Sequence, residues 1–488
     1  MLTALLLIPL LAGLLCWLVK PRWLMETLNV LSFGATFGLG IALAARVLRQ
    51  GTVTEWNSFL YADALSAWMV LLIALISLAS SIYALGYLRQ DLSGHLTEGR
   101  FREYYVLTPL FVFAMLLAVL ANNLGILWVA LEATALASVF LVALYNQKTS
   151  LEAAWKYIIL GSVGLVLALL GTILTYGSAA RLGNETLAGL NWSYLITVAD
   201  KLDPRIIKLA FVFVLVGYGT KAGIAPMHTW LPDAHSEAPA STSAMLSGVC
   251  LKVALYGLLR FYILSIHCVG TGFSQHLLLG FGLLSICVAT PFILIQTNIK
   301  RLFAYHSVEH IGIICVGLGF YAPMAVFGAV LHIGYHALVK STLFFASGNI
   351  HQKYRSLELP AIGGGLLRTM PVTAVLLAIA VIAIAGVPPF GMFLTELNIL
   401  AGGMGAGHIL GGVLFMAALV TVFAGLLGHS AHLLLGTAER QTSGPEAPRS
   451  GLAAMALLIG VLTVFSLWLP RPLLQLIGGA AQIIGGAQ

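Results

Sequence analysis

The segment Gly217-Tyr-Gly-Thr-Lys221-Ala-Gly-Ile-Ala-Pro226 places a lysine directly before a Gly/Pro interruption, in a chain that is otherwise almost wholly apolar. An ammonium at bilayer depth costs about 2.5–3.5 kcal/mol even on a permissive insertion scale. Membrane helices that carry charge and are interrupted at Gly or Pro usually line a path for ions or protons. The segment therefore indicates a conduction path inside membrane helices. Other charged residues within apolar stretches are Glu132, Lys252, Lys340 and Glu396.

Composition restricts the chain to one class of protein. Of its 488 residues, 59% are hydrophobic and only 9% are charged, which is more apolar surface than a soluble fold of this length needs. Apolar runs of about 20 residues recur along the whole chain, whereas a transmembrane β-barrel has alternating strands of about 10 residues. We predict an all-α polytopic protein embedded in the lipid bilayer.

The net charge of +7 does not indicate nucleic-acid binding, because the basic residues are scattered through short loops, as membrane topology requires. One set of alternate loops holds roughly 14 Lys and Arg residues and the other roughly 8. This bias predicts that both termini lie on the outer side. The apolar N-terminus lacks the features of a cleaved signal peptide, so we interpret it as a retained first span.

The five cysteines are isolated, and neither a C-x-x-C pair nor a Cys/His cluster suggests zinc, an iron–sulfur centre or haem. We therefore expect no metal and no cofactor in this chain, and any redox chemistry belongs to other chains. The cysteines are Cys16, Cys250, Cys268, Cys287 and Cys315.

Hydropathy predicts about 14 transmembrane helices on a 20-residue criterion. The predicted limits are 2–19, 27–48, 64–88, 104–121, 124–145, 157–177, 205–225, 241–264, 275–295, 299–319, 325–348, 370–396, 408–434 and 451–470.

A second interruption, Ala385–Gly391, indicates an internal repeat. It lies just before Glu396, whereas the first interruption lies just after Lys221. The two charges are about 175 positions apart, and with five spans per unit the second copy enters the membrane inverted, as in many secondary transporters. We predict two inverted five-helix repeats, each with a broken helix. The predicted domains are 1–103 with three N-terminal helices, 104–264 as the first repeat, 275–434 as the second, and 451–488 with a C-terminal helix.

Lys221 and Glu132 are the first candidates for the path. Lys221 adjoins an interruption whose freed backbone groups require a wet cavity; the alternative is a lysine that snorkels from a helix end to the interface. Glu132 stands in mid-span, so it is held neutral by a backbone bond or paired across helices. At about 4 Å and an effective dielectric constant near 20, a Glu132–Lys221 pair is worth about 4 kcal/mol. Such a pair could switch the lysine between proton-holding and proton-releasing states.

His332, His336 and Lys340 are four residues apart on one predicted helix. Each is rotated by about 40° from the one before, and together they span about 12 Å along one face. This spacing suits a proton relay, with satisfied core histidines as the alternative. A His pair at i and i+4 can bind a metal, but no Glu follows His332, so the zinc-protease motif is absent. Lys252 is a further candidate, with a structural bond to a helix-end carbonyl as its alternative.

Glu396 follows the second interruption and is the candidate for proton release, with helix-end capping as the alternative. The polar turn 228–239 is either an ion vestibule or a well-bonded re-entrant loop. Asp63 precedes an apolar run and is predicted to cap the N-terminus of a helix. The ionisable residues of the turn are His228, Asp233, His235 and Glu237.

If Lys221 and Glu396 are counterparts about 175 positions apart, the same offset can be applied to the other charges. Glu132 then lands close to Glu309, and Lys252 lands close to His429; both of these separations are 177 positions. We expect both to face the interior, on the line from Lys340 to the release carboxylate, as part of a second half-channel. For Glu309 the alternative is a pair with a basic neighbour near a helix end.

Two stretches together resemble one known family. They are Lys221–Pro239, which contains Pro226-Met-His-Thr-Trp-Leu-Pro-Asp-Ala-His-Ser-Glu-Ala-Pro239, and Lys300-Arg-Leu-Phe-Ala-Tyr-His-Ser-Val-Glu-His-Ile-Gly312. The family comprises the proton-translocating, antiporter-like membrane subunits of respiratory complex I, group 4 membrane-bound hydrogenases and Mrp-type Na+/H+ antiporters. The resemblance covers roughly residues 60–435.

The resemblance implies a pumping pair, a central lysine, a histidine relay and an exit carboxylate. In that order these are Glu132 with Lys221, then Lys252, then His332, His336 and Lys340, and last Glu396.

A glutamate at 396, the Ser307-Val-Glu309-His-Ile-Gly signature and the segment Gly348–Tyr354 are most similar to the hydrogenase-4 component F branch. An M-type complex I subunit or an Mrp-type antiporter subunit is the alternative. The resemblance implies a bacterial or archaeal cytoplasmic membrane, protons as the transported ion with sodium as the alternative, and other membrane subunits as partners. It also implies a peripheral redox arm that carries Fe–S/NiFe or flavin centres, so that this chain is no enzyme on its own.

Overall fold

A computed structural model describes residues 1–92, 96–183, 187–437 and 445–485, which are almost entirely helical. Within these ranges, eleven helices are long and apolar enough to cross a membrane, and two shorter apolar helices accompany them. The prediction of an all-α polytopic membrane protein is confirmed. The number of 14 spans stays a prediction.

The first half of the chain is a series of long helices and one small hairpin. In the hairpin, β1 (Val53–Glu55) pairs antiparallel with β2 (Leu60–Ala62). Short 3₁₀ turns lie at Leu187–Leu190 and Ile196–Lys201, and a π-helical turn lies at Leu246–Cys250. The helices are α1 (Leu2–Leu18), α2 (Arg22–Gln50), α3 (Ala64–Leu92), α4 (Glu98–Leu120), α5 (Leu124–Val142), α6 (Lys148–Ala180), α7 (Trp192–Leu195), α8 (Pro204–Ala222), α9 (Trp230–Glu237), α10 (Ala240–Met245) and α11 (Leu251–Val269).

The described residues of the second half are helices joined by short non-helical segments. Its helices are α12 (Thr271–Ile295), α13 (Ile299–Phe320), α14 (Pro323–Tyr354), α15 (Leu359–Ile362), α16 (Leu366–Thr369), α17 (Pro371–Ile384), α18 (Gly391–Gly405), α19 (Ile409–Leu435), α20 (Arg449–Leu467) and α21 (Arg471–Gly485).

Burial separates the central helices from the peripheral ones. The most apolar 18-residue stretch is wholly buried in α13, in α14 and in the segment Ala240–Val269. In α19, only 22% of the corresponding stretch is buried. A helix that is covered on all sides can carry polar groups away from lipid, provided that they find partners inside the bundle. The centre of the bundle is therefore where buried charges can be held.

Both predicted interruptions are real breaks in helices. Helix α8 ends at Ala222, where Gly223 adopts a left-handed conformation with φ of 82°, and the chain runs without regular helix until α9. Helix α17 ends at Ile384, and α18 starts at Gly391 after Gly386 turns with φ of 66°. Glycine has no Cβ, so it takes these positive φ values without strain. The inverted relation of the two repeats stays a prediction.

Glycines allow α6 and α8 to pack closely. A Cβ at Gly217 of α8 would lie 2.5 Å from the backbone nitrogen of Ala168 and 2.5 Å from the carbonyl oxygen of Gly164, both on α6. Small residues at such a contact let two membrane helices approach closely. This contact positions the end of α8, which carries Lys221.

Three features of the fold differ from the sequence predictions or were missed by them. Helix α6 begins at Lys148, not 157, because its first turns are polar but still helical. The hairpin was not predicted, since two three-residue strands have no periodicity to detect. Helix α21 was also missed; it is amphipathic and packs on α3 and α14 through Leu476, Ile477, Ala480, Ala481 and Ile484.

We predict that Gly164→Ala lowers the free energy of unfolding by about 1–3 kcal/mol, because overpacking of a tight contact is destabilising. The new Cβ would lie 2.7 Å from the Cβ of Thr220. Gly161→Ala on the same helix is the control: its Cβ would meet nothing within 4 Å, so it should leave stability unchanged or raise it. Thermal unfolding of the purified variants in detergent measures the difference; equal behaviour of the two would contradict the packing argument.

Candidate functional site

Buried ionisable side chains run through the centre of the bundle, on α8, α11, α13 and α14. Each is at most 2% exposed, so bulk water reaches none of them directly. Such groups are costly in an apolar interior unless they have partners, and in membrane segments they mark ion and proton pathways. The set is Lys221, Lys252, His306, Glu309, His310, His332, His336 and Lys340.

Lys221 occupies the last turn of α8, directly before the break. Its ammonium donates to the hydroxyl of Tyr157 on α6 and lies 4.6 Å from the centroid of that ring. The Tyr157 hydroxyl is also 2.7 Å from the hydroxyl of Ser138 on α5. The lysine therefore does not snorkel to the interface, and its immediate partner is a phenol.

The predicted direct contact between Glu132 and Lys221 is not formed in this structure. Glu132 is half-buried on α5 and accepts a hydrogen bond of 3.3 Å from the Ser162 hydroxyl. Helix α6 lies between α5 and α8 and presents Ser162 to the glutamate and Tyr157 to the lysine. Glu132 and Lys221 are therefore held by two different side chains of one helix, which corresponds to the broken form of the predicted pair.

Lys252 lies just past the π-helical turn. Its ammonium donates to the carbonyl of Ser247, which belongs to that turn. The Ser247 hydroxyl lies 2.8 Å from the hydroxyl of Ser307 on α13. Isolated π-turns are frequent at functional sites because they free backbone groups from the regular ladder. The turn therefore connects the central lysine to the neighbouring helix.

The predicted ladder on α14 is completed by residues of α13. Lys340 donates to the carbonyl of Phe303 at 2.7 Å. Nδ1 of His310 lies 2.9 Å from Nε2 of His332, and the ring centroids of His310 and His336 are 4.9 Å apart. His310 thus stands beside both ladder histidines.

The contact between Thr395 and His332 bears on which ring nitrogen of the neutral histidine holds the hydrogen. Its hydroxyl donates to the carbonyl of Met392 at 2.7 Å and lies 2.8 Å from Nδ1 of His332. With the hydroxyl hydrogen on the carbonyl, the oxygen accepts from the ring, and from these two contacts we assign the proton of His332 to Nδ1. Nε2 of His332 is then an acceptor and receives a hydrogen bond from Nδ1 of His310.

Glu309 and Glu396 both lie close to His310. Glu309 is buried, with a carboxylate oxygen 2.9 Å from Nδ1 of His306, a contact that lacks hydrogen-bond geometry. Glu396 is half-buried and lies against Gly386 in the break between α17 and α18. Its carboxylate comes within 4.8 Å of ring nitrogens of His310 and His332. The release candidate therefore adjoins the histidine cluster.

His429 takes a different place from Glu309. It is half-buried on α19, and its Nε2 lies 3.0 Å from the carbonyl of Leu294 on α12. That contact is at the edge of the bundle, because α19 is mostly exposed. His429 therefore adjoins a peripheral helix contact, while Glu309 stands in the central chain.

The polar turn 228–239 is well bonded at the end of the bundle that carries the basic loops, here called the basic end. Asp233 accepts from Lys156 at 3.1 Å and from Arg301 at 2.7 Å, and Glu237 accepts from Thr149 at 2.8 Å. This bonding fits the re-entrant alternative. His228 is buried beside the turn, 6% exposed.

A cavity of about 270 Å³ opens near the same turn, with Asp91, Glu237 and Lys300 among its lining residues. The ammonium of Lys300 donates to the carbonyl of Ala238 at 2.7 Å, and Asp91 accepts from the hydroxyl of Tyr145 at 2.5 Å. The turn thus combines both predicted readings, since bonded carboxylates surround a polar cavity.

Asp63 caps α3 as predicted, through a 2.9 Å bond from the backbone of Ser66. It also accepts two bonds from the guanidinium of Arg260, at 2.7 and 2.9 Å. Arg260 is 1% exposed inside α11. The bidentate pair is compatible with burial because each charge is neutralised by the other.

Sequence reasoning did not assign roles to several residues of this site. His306 and His310 stood inside the recognised motif, where their i, i+4 spacing beside Glu309 is a usable signal. Tyr157 and Thr395 carry no such signal, because their roles depend on contacts between distant helices.

These observations can now be compared with known proteins. Residues 121–423 match the family described as "NADH:quinone oxidoreductase/Mrp antiporter, TM", and residues 55–95 match one described as "NADH-Ubiquinone oxidoreductase (complex I), chain 5 N-terminus". The chain belongs to the family of antiporter-like membrane subunits. The predicted family resemblance is confirmed.

Individual relatives agree with this membership. A hydrogenase-4 component F homologue from Methylacidiphilum infernorum is 40% identical over 375 residues, which are 76% of this chain and 78% of that protein. NADH-quinone oxidoreductase subunit N from Desulforudis audaxviator is 29% identical over 408 residues, 82% and 78% of the two chains. A chain in the structure of the Mrp complex from Dietzia sp. has the same fold, with a TM-score of 0.87 over 99% of this chain and 97% of that one at 21% identity.

We predict that Tyr157→Phe lowers the free energy of unfolding by about 1–3 kcal/mol, because it removes the acceptor of a buried ammonium. Tyr105→Phe is a matched control: Tyr105 is equally buried, and its hydroxyl has no hydrogen-bond partner, so its loss should be neutral. Denaturant or thermal unfolding in detergent distinguishes the two. A stability loss in Tyr105→Phe as large as in Tyr157→Phe would show that the Lys221 contact is not the cause.

Proposed function

We propose that this chain is the proton-translocating membrane subunit of a redox-driven complex of the hydrogenase-4 component F type. The observation that carries the proposal is the buried chain of ionisable groups between two broken helices, from Lys221 at the first break to Glu396 at the second. The family membership and the 40% identical hydrogenase-4 component F homologue support the same function.

The proposed path begins at the basic end. The cavity beside Lys300 is polar and is lined by carboxylates, so water and protons can approach the inner ends of α9 and α10 there. Lys221 then takes the proton through the phenol of Tyr157, since their hydrogen bond is already in place. A buried lysine suits this role because its affinity for protons responds strongly to its surroundings.

Lys252, Lys340 and the histidines form the central part of the proposed path. Imidazole rings pass protons because one nitrogen can accept while the other donates. Both ring nitrogens of His336 are buried and have no hydrogen-bond partner in the part of the chain that the structure describes, and buried polar atoms of this kind are usually satisfied by ordered water. We infer that water completes the path between Lys340 and the His310–His332 pair.

Glu396 is the proposed outlet. It is half-buried, in contrast to the wholly covered groups before it, and it lies in the break that frees backbone groups at the start of α18. Movement of α18 relative to α17 would change the contact between Glu396 and the histidines. Protonation of the path and the geometry of the break are thereby coupled.

Glu132 is proposed as the partner that changes the proton affinity of Lys221. In the structure the two groups are bonded to Ser162 and Tyr157 respectively, which corresponds to the separated state. An approach to about 4 Å would be worth about 4 kcal/mol at an effective dielectric constant near 20. A partner subunit that shifts α5 or α6 could therefore hold or release the proton.

The proposed setting is a bacterial or archaeal cytoplasmic membrane with both termini outside. The partners would be other membrane subunits and a peripheral arm with Fe–S/NiFe or flavin centres, which supplies the redox energy. The M-type complex I subunit and the Mrp-type antiporter subunit are the alternatives. Purification with native partners separates the first two, and sodium-dependent exchange by the isolated chain would favour the third.

We predict that Lys221→Ala and Glu132→Ala each abolish coupled proton uptake while the complex still assembles. The reason is that either change removes one member of the proposed switch without altering a subunit surface. Lys208→Ala is the control, since Lys208 is an exposed lysine on the same helix as Lys221. Proton uptake is measured in vesicles that contain the whole complex; wild-type uptake in either mutant would refute the switch.

We predict that Glu396→Gln slows proton release between pH 6 and 8 and leaves assembly intact. The amide keeps the size of the side chain but cannot carry a proton to the outlet. Glu152→Gln, at an exposed position on α6, should pump as the wild type does. Normal pumping by Glu396→Gln across this pH range would assign the outlet to another group.

A further inference from the structure

The histidine cluster has a second chemical property, which concerns metals. We propose that His310, His332 and Glu396 form a binding site for a divalent cation of the zinc class, and that an ion bound there blocks the proton path. The claim that the ion binds here stands on geometry alone. The claim that a bound ion blocks proton transfer rests on the proposed function.

Each ligand comes from a different helix: His310 from α13, His332 from α14 and Glu396 from α18. Their ligand atoms lie within 4.8 Å of one another. Two ligands around a tetrahedral zinc ion are about 3.3 Å apart when each bond is about 2.0–2.1 Å. The nitrogens of His310 and His332, 2.9 Å apart, are within a few tenths of an ångström of that separation.

The ligand types select the class of metal. Imidazole nitrogens suit zinc, copper and nickel, whereas Mg²⁺ and Ca²⁺ prefer sites made of oxygen. Two imidazoles and one carboxylate leave a fourth position for water, as in many open zinc sites. The pair His332/His336, which the i, i+4 spacing suggested, is less suitable because its ring centroids are 6.3 Å apart.

The tautomer of His332 favours binding. Thr395 keeps the proton on Nδ1, so Nε2 offers a lone pair toward His310. Metal-bound histidines are oriented by such an outer hydrogen bond. On binding, the ion replaces the proton between the two rings, and that proton moves to Nε2 of His310, which has no hydrogen-bond partner among the described residues. A proton held by Glu396 is released to solvent when its carboxylate binds the ion. Charge and protons balance without any redox step.

A bound ion would occupy both nitrogens through which the two rings exchange a proton. It would also tie Glu396 and the start of α18 to α13 and α14. Proton transfer and movement at the second break would stop together. His306 and Glu309 form a second possible group with His310, which is the residue that the two groups share.

The first experiment measures zinc binding by the purified full chain in detergent, in competition with a chromophoric chelator. Wild type should bind one Zn²⁺ per chain, and X-ray absorption should show imidazole ligands at about 2.0–2.1 Å. His310→Gln and His332→Gln should lose this binding. Thr395→Val keeps all three ligands but loses the orienting bond, so its affinity should fall about 10–100-fold.

His276→Ala is the matched control, because His276 is an exposed histidine on α12; it should bind zinc as the wild type does. Thermal unfolding of each variant without zinc verifies that the fold is retained, and Thr395→Val serves if a histidine variant fails to fold. Absence of stoichiometric zinc in the wild type, or equal affinity in Thr395→Val and the histidine variants, would overturn the site.

The second experiment adds Zn²⁺ to vesicles that contain the whole complex. Proton uptake by the wild type should fall with a midpoint at the measured dissociation constant, and uptake by His276→Ala should fall in the same way. Thr395→Val should need about 10–100-fold more zinc. Zinc binding without inhibition would support the site and overturn the proposed path, so the two failures are distinguishable.

Discussion

The structure depends on one constraint, the cost of placing charge in a medium without water. Each central lysine is covered completely, and each has an oxygen within reach: a phenol for Lys221, and carbonyls for Lys252 and Lys340. A covered ammonium without such a partner would release its proton or the helix would not insert. The surrounding helices therefore serve two ends, since they keep lipid away from the charges and supply their partners.

The breaks in α8–α9 and α17–α18 follow from the same constraint. An intact helix satisfies its own backbone and has little to offer a polar side chain, whereas a break frees carbonyl and amide groups. The π-helical turn beside Lys252 does this on a smaller scale. In this protein the backbone departs from regular helix where charge must be accommodated. The outer helices contain little irregular backbone and little charge.

Much of this arrangement was predictable from the sequence. Lys221, Lys252, Lys340 and both breaks stand out because charge and Gly/Pro are rare in such an apolar chain. The partners that hold Glu132 and Lys221 apart in the structure, Ser162 and Tyr157 on α6, were not predictable, because they depend on contacts between distant helices that hydropathy does not report. The pairing of Arg260 with Asp63 was not predicted, because its two members are 197 positions apart in the sequence.

The wide turn at Leu246–Cys250 has a consequence for the whole of α11. It precedes both Lys252 and Arg260, which contact different neighbours: Lys252 the carbonyl of Ser247, and Arg260 the carboxylate of Asp63. Since each residue advances an α-helix by about 100°, loss of one residue from the turn would rotate both side chains away from their partners at once. The turn thus fixes the rotation of α11 about its own axis, and with it the directions in which Lys252 and Arg260 point.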